Sequence, residues 1–208
     1  LLKGRAEARQ ALQIPAERCC VVAMGGSQGA SSLNNAILAA LPTLVDRDLT
    51  LIHLTGPKHI EEVTARSGDL VAGHKIDYRP LAYTEDVASL YAAADLVICR
   101  SGATTLAEIT ARGLPSILVP YPYAAENHQE ANARILESNG ASQVILDKQV
   151  ETELANNLVA LLDDKEKLAT MAQASAALGH RGATEAVIAQ ILEIVYKNRT
   201  QALSKKGR

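Results

Sequence analysis

The sequence predicts an α/β fold, a Rossmann-like parallel sheet of about six strands with helices on both faces. Short β-branched apolar runs alternate with amphipathic stretches over most of the 208 residues, which is the βαβα pattern of a parallel sheet covered by helices. The runs are apolar at nearly every position, as strands buried on both faces require. A glycine-rich turn, GGSQGASS at 25–32, opens the first strand-to-helix connection, and doubly wound sheets bind ligands beyond the carboxyl ends of their strands.

In chain order the expected strands are CCVVAM (19–24), LTLIHLT (49–55), HKIDYRP (74–80), LVICR (96–100), PSILVPY (115–121) and SQVILD (142–147). Helical periodicity falls between them at about 31–44, 57–67, 84–94, 103–112 and 126–139. After Asp147 the strand signal ends. Two or three helices follow, VETELANNLVALLDD, KEKLATMAQASAALG and ATEAVIAQILEIVYK, placed to pack on the flank of the sheet. Residues 17–197 read as one domain, preceded by a first helix within 1–16 and followed by a basic flexible tail, 198–208.

Composition narrows the function. With 21 basic and 23 acidic residues the formal charge is −2, without the basic footprint of a nucleic-acid binder. No apolar run reaches the ~18–20 residues that span a bilayer, and LLKGRAEARQ lacks a signal-peptide core, so a soluble cytoplasmic chain is expected. Cys19, Cys20 and Cys99 form no C-x-x-C pair and fall in predicted strands, as buried free thiols do. The five histidines show no ligand spacing, so no metal is expected. Asp46-Arg47-Asp48 resembles the Asp-x-Asp of metal-dependent glycosyltransferases. It precedes a strand, however, at the amino end of the sheet, which makes it a solvated turn.

Gly25, Ser27 and Gly29 spell Gly-x-Ser-x-Gly, the nucleophile elbow of serine hydrolases. That elbow needs an oxyanion loop from an earlier strand, and none precedes this one. Asp95 and His128 follow in triad order but lack a supporting context. The dinucleotide spacing Gly-x-Gly-x-x-Gly is absent, the second strand ends in Thr55-Gly56 with no acid, and no P-loop lysine follows Gly29. What remains is a helix start whose backbone N–H groups, helped by a serine hydroxyl, face an anion.

RSGATTLAEITARG, 100–113, repeats that arrangement. Ser101 and Gly102 make a turn, Ala103 to Thr105 open a helix, and Glu108 lies one turn beyond Thr104. Glu108 suits either of two roles. It accepts hydrogen bonds from a ligand diol, each worth ~1.5–3 kcal/mol, or it pairs with Arg112 at i,i+4 for ~0.3–0.5 kcal/mol. A third loop, PYAAENHQEAN at 122–132, is longer and more polar than a plain connector needs.

In order and spacing, GGSQGASSLN and CRSGATTLAEITARGLPSILVPYPYAAENHQEANA resemble the C-terminal half of the MurG family, from about Val21 to the C-terminal helices. The resemblance implies one half of a GT-B fold, the Rossmann-like domain that binds UDP-N-acetylglucosamine for an inverting N-acetylglucosaminyltransferase. That activity converts lipid I to lipid II in peptidoglycan synthesis, without metal or other cofactor. By motif position Ser27 meets the diphosphate, and Gly25, Gly26 and Gly29 let the backbone approach it. Thr84 meets the uracil through its main chain. Ala103, Thr104, Thr105, Leu106 and Ala107 present a helix start to phosphate and sugar, Glu108 holds the ribose hydroxyls, and Gln129 reads the sugar hydroxyls. Ser31 departs from the arginine common in the family.

The resemblance also places the acceptor site, the membrane-docking patch and the candidate general base in an N-terminal domain outside this chain. No catalytic residue is therefore expected here, and residues 1–16 read as the remnant of an interdomain linker. The implied partners are a UDP-sugar, that domain and, through it, a lipid-linked acceptor, the full-length enzyme being peripheral on the cytoplasmic face of the inner membrane. Two alternatives carry over: the donor half of another GT-B UDP-sugar transferase, and a stand-alone nucleotide-sugar-binding module.

Overall fold

The computed structural model describes residues 4–180, 182 and 188–195. Its strands are β1 (Cys19–Met24), β2 (Leu49–Leu54), β3 (Asp77–Leu81), β4 (Leu96–Cys99), β5 (Ser116–Leu118) and β6 (Ser142–Val144). They form one sheet in the order β3-β2-β1-β4-β5-β6, and every neighbouring pair is parallel. The helices are α1 (Arg5–Ala11), α2 (Ser31–Ala40), α3 (Ile60–Val71), α4 (Val87–Ala93), α5 (Ala103–Arg112), α6 (His128–Ser138), α7 (Val150–Asp163) and α8 (Lys165–Leu178). The expected fold class holds. The order reverses between β1 and β4, and this switch point opens a crevice where the connections leaving the two strands diverge.

Alternation along the strands divides the core. On β1, Val21 and Ala23 face one cluster with Leu33 and Ile37 of α2 and Leu154 and Leu158 of α7. Cys20, Val22 and Met24 face the other, with Leu90 of α4, Ile109 of α5 and Leu136 of α6. Each fully buried Leu or Ile stabilises the fold by about 1.5–3 kcal/mol. The three thiols are free. Burial, ahead of the nearby Asp95 charge, pushes Cys19 up to about 11 and Cys20 up to about 12. Both stay protonated and act as small hydrophobes.

Element ends differ from the sequence reading for identifiable reasons. The pattern expected to run to 44 stops at Ala40, because Pro42 restricts the chain to a short 3₁₀ turn, Leu41–Thr43. The run PSILVPY yields only Ser116–Leu118 as strand, since Pro120 has no N–H to donate. α6 begins at His128, two residues late, because Glu126 and Asn127 take φ of 52° and 53°. Of the third expected C-terminal helix, residues 188–195 are helical and the rest lie outside the described residues, as does the tail 198–208.

α1 is built into the domain. The Arg9 side chain, 5% exposed, donates to the Asp95 carboxylate at 2.7 Å and to the carbonyls of Ala93, Pro15, Ala16 and Arg18. Asp95 also accepts from the Cys20 N–H at 2.8 Å. A single buried guanidinium thus ties α1, the end of α4 and the start of β1 together.

Candidate functional site

Four loops at the carboxyl ends of β1, β4, β5 and β6 surround a cavity of about 710 Å³. Its walls include Ser27, Arg100, Thr105, Tyr123, Gln129 and Asp147, with all three loop glycines expected from the sequence. A second cavity, of about 610 Å³, opens at the other end of the sheet around Arg5, Cys19, Asp95 and Lys165. The strand-end rule and the position of the glycine turn assign the site to the first. Near the amino end, Asp48 accepts from Arg18 Nε at 2.6 Å and Asp46 lies 3.3 Å from His74 Nδ1, so both acids are engaged by surface side chains.

Two helices aim their starts at the cavity. α2 begins after Ala30 and α5 after Gly102, and neither start carries a side-chain cap. The first N–H groups of a helix have no intrahelical partner and carry the positive end of its dipole, so an anion satisfies both. On α5 the Leu106 N–H already donates to Gly102 at 3.0 Å, and the Leu106 side chain is 7% exposed within the core. The open N–H groups are therefore those of Ala103, Thr104 and Thr105. Leu106 and Ala107, expected to join them, sit beyond the reach of the helix end.

The glycine turn is seated against the end of β2. Gly29 donates to Gly26 at 3.0 Å, closing the turn under Ser27. Gly29 has φ +77°, and a Cβ there would overlap the Thr55 carbonyl oxygen and stand 2.8 Å from its carbon. Gly56 meets the turn from the other side, where a Cβ would stand 2.6 Å from the Gln28 carbonyl carbon. At Gly25 a Cβ would stand 2.6 Å from the Ala30 nitrogen, whereas at Gly26, with φ +92°, it would enter open space. The tight fit is thus at Gly25, Gly29 and Gly56, the last of which the sequence reading did not assign.

Beneath the turn lies a buried polar chain. Asn34 of α2 donates through Nδ2 to the Thr55 carbonyl at 2.9 Å, which turns its Oδ1 toward His53 Nε2 at 3.0 Å. Nε2 then carries the ring proton, and Nδ1 accepts from the Tyr78 hydroxyl at 2.8 Å. Burial pushes the imidazole down to about 4 from 6.5. The unfolded chain binds the proton first as pH falls, so the stabilisation is complete above about pH 6.5 and is lost toward pH 4. Urea unfolding should show about 2 kcal/mol less stability at pH 5 than at pH 7 from this group. The difference should shrink by that amount in His53→Gln; an unchanged pH slope in the variant would remove His53 as its source.

Arg100 stands on the cavity floor. Its side chain, 12% exposed, donates to Asp147, to the Ser32 hydroxyl at 3.0 Å and to the carbonyls of Val119 and Pro120. Ser32 in turn donates to Asp147 at 2.7 Å. The Arg100 guanidinium also lies 5.7 Å from the centre of the Tyr121 ring, a cation–π distance. Arg100, Asp147 and Ser32 were not picked out from the sequence. The available signal was the position of Arg100 and Asp147 at the ends of predicted strands.

The remaining predicted residues occupy distinct places. Gln129 Oε1 accepts from the N–H groups of Ser101 and Tyr121 at 3.3 and 3.1 Å, and its carbonyl accepts from the Ser101 hydroxyl at 2.7 Å. The side-chain oxygen is therefore structural, and the amide nitrogen is what Gln129 offers the cavity. Thr84 and Glu108 do not line it. Thr84 accepts through its hydroxyl from the Asp86 N–H at 3.1 Å, in the turn before α4. Glu108 is exposed on α5, and its charge lies near the hydroxyl of buried Tyr91, which donates to Met24 Sδ at 3.4 Å. The hydrolase reading fails on geometry. Asp95 is bound to Arg5 and Arg9 at the amino end of β4, across the sheet from Ser27.

A doubly wound sheet with a glycine turn and two uncapped helix starts at its switch point defines the class, a Rossmann-like domain with an anion-binding crevice. Within that class, the chain belongs to the family described as the glycosyltransferase family 28 C-terminal domain, whose model matches residues 20–197. It is 44% identical over 197 residues to the UDP-N-acetylglucosamine–N-acetylmuramyl-(pentapeptide) pyrophosphoryl-undecaprenol N-acetylglucosamine transferase of Moorella thermoacetica, covering 92% of this chain and 53% of that relative. To the enzyme of the same name from Desulforudis audaxviator it is 43% identical over 190 residues, covering 88% of this chain and 50% of that relative. The crystal structure of Acinetobacter baumannii MurG superposes with a TM-score of 0.77 at 30% identity, over 92% of this chain and 54% of the other. The chain thus spans about half the length of the relatives it matches.

Proposed function

We propose that this chain is the donor-binding half of an inverting, metal-independent N-acetylglucosaminyltransferase that converts lipid I to lipid II in peptidoglycan synthesis. The observation that carries the reading is the convergence of two uncapped helix starts and Arg100 on one cavity at the switch point, a setting made for a diphosphate. The diphosphate sits between the glycine turn at Ser27 and the N–H groups of Ala103 to Thr105. From there the ribose reaches Glu108 on the next turn of α5, and the uracil meets the main chain at Thr84. In the other direction the sugar meets the amide nitrogen of Gln129. Charge develops on UDP as the glycosidic bond breaks, and preorganised N–H donors and Arg100 stabilise it. The base that deprotonates the acceptor hydroxyl, and the membrane-bound lipid acceptor itself, belong in this reading to the N-terminal half of the enzyme at the cytoplasmic membrane face.

Calorimetric titration with UDP-N-acetylglucosamine, UDP-glucose and UDP, with and without chelator, tests this directly. Binding of all three UDP ligands unaffected by chelator is expected, and a folded sample that binds none of them would overturn the reading. Ser27→Ala should weaken UDP by about 1 kcal/mol, the order of one hydrogen bond. Gln129→Ala should erase any preference for N-acetylglucosamine over glucose while UDP binding persists.

A further inference from the structure

Tyr123 is unaccounted for by the donor contacts above. It is 82% exposed, the most open of the exposed large hydrophobic residues among those described, yet it lines the same cavity as Ser27 and Gln129. Exposed tyrosines are ordinary on a surface, but this one is held. Its ring meets Tyr121 edge-on, with centres 5.7 Å apart and planes at 72°, and the Tyr121 ring packs against the Arg100 guanidinium. The loop is pinned at its base, where Gln129 Oε1 accepts the Tyr121 N–H. Its exit is set by Glu126 and Asn127, two non-glycine residues in the left-handed region, a costly conformation maintained only where the surroundings demand it. The amide of Gln129 and the ring of Tyr123 are thereby presented to the cavity by one loop whose base and exit are both defined.

A pyranose is two-sided. Its hydroxyl edge takes hydrogen bonds, and its axial C–H face carries small positive charges that suit the negative face of an aromatic ring. We infer that Tyr123 is the platform for the sugar of the donor, stacking on the C–H face of the hexopyranose whose hydroxyl edge meets Gln129, and so is a specificity-determining residue for the sugar and not for the nucleotide. The inference rests on the donor-site reading above. It explains why a tyrosine is kept open at the cavity rim, and it makes the Tyr121–Tyr123 pair an extension of the Arg100 anchor toward the sugar.

The test compares UDP with UDP-N-acetylglucosamine on the full chain and on Tyr123→Ala, Tyr123→Leu and Tyr123→Phe. The side chain is exposed, so equal melting temperatures are expected throughout. Tyr123→Ala and Tyr123→Leu should weaken UDP-N-acetylglucosamine by about fivefold, the size of an aromatic contact, with UDP held within about twofold; Tyr123→Phe should keep both. Leucine preserves apolar bulk without a flat face, which separates stacking from general burial. Equal losses for the two ligands would make Tyr123 a loop residue, and no loss for either would leave it outside the sugar site; both results overturn the inference while the nucleotide site stands. Failure of the unaltered chain to bind UDP would instead bring down the donor-site reading, and this inference with it.

Discussion

Gly29→Ala is expected to abolish UDP binding and to destabilise the fold by several kcal/mol, far more than the same change at Gly26. Two independent costs add at Gly29. A Cβ in the left-handed region costs about 1–2 kcal/mol, and here it would also collide with the Thr55 carbonyl. That carbonyl cannot retreat. The Thr55 N–H donates to Leu81 at 2.9 Å, its oxygen accepts from Asn34, and Gly56 behind it is already in contact with Gln28. The turn must therefore lift away from β2, and the N–H groups at the start of α2 leave the cavity with it. At Gly26 only the dihedral cost applies, so Gly26→Ala should fold and bind UDP weakly. Urea midpoints and UDP titration of the soluble fraction measure both effects. Wild-type UDP affinity in Gly29→Ala would show that the seating of the turn on β2 is not what forms the site.

The contrast between the two glycines shows what was legible in the sequence. The glycine turn, the strand that feeds it and the helix it opens are local, within 24–40, and their pattern is readable without a fold. So is the start of α5 at Gly102-Ala103. What could not be read is which glycine needs its missing side chain, because the atoms it would strike belong to Thr55, on another strand. The floor of the cavity is hidden for the same reason. Arg100 and Asp147 are 47 residues apart, and Ser32 is 115 from Asp147; only the 3-2-1-4-5-6 order sets the ends of β1, β4 and β6 around one crevice. Leu106 is the converse case. Motif position alone made it a ligand contact, whereas the helix geometry that motif implies uses its N–H for Gly102 and its side chain for the core.

The second large effect follows from that hidden pair. Arg100→Met should weaken UDP by about 100-fold, or about 2.7 kcal/mol, more than loss of any single hydrogen bond to the ligand. The reason is twofold: the cation at the proposed diphosphate site disappears, and the Asp147 carboxylate is left uncompensated at the same spot, where removing one partner of a largely buried pair is the costly change. Asp147→Asn alone acts in the opposite sense. Arg100 keeps its bonds to Val119, Pro120 and Ser32, a negative charge leaves an anion site, and UDP should bind a few-fold tighter. The double variant Arg100→Met/Asp147→Asn should then recover about tenfold over Arg100→Met, because the repulsion is gone although the attraction is not restored. Arg100→Lys keeps the charge but cannot hold Asp147, Ser32 and two carbonyls with one fork, so it should fall between wild type and Arg100→Met. Tighter binding in Asp147→Asn together with partial rescue in the double variant is the signature of a counterion that tempers the site. If Asp147→Asn instead weakened UDP as much as Arg100→Met, the carboxylate would be serving to orient Arg100, and its charge would count for little.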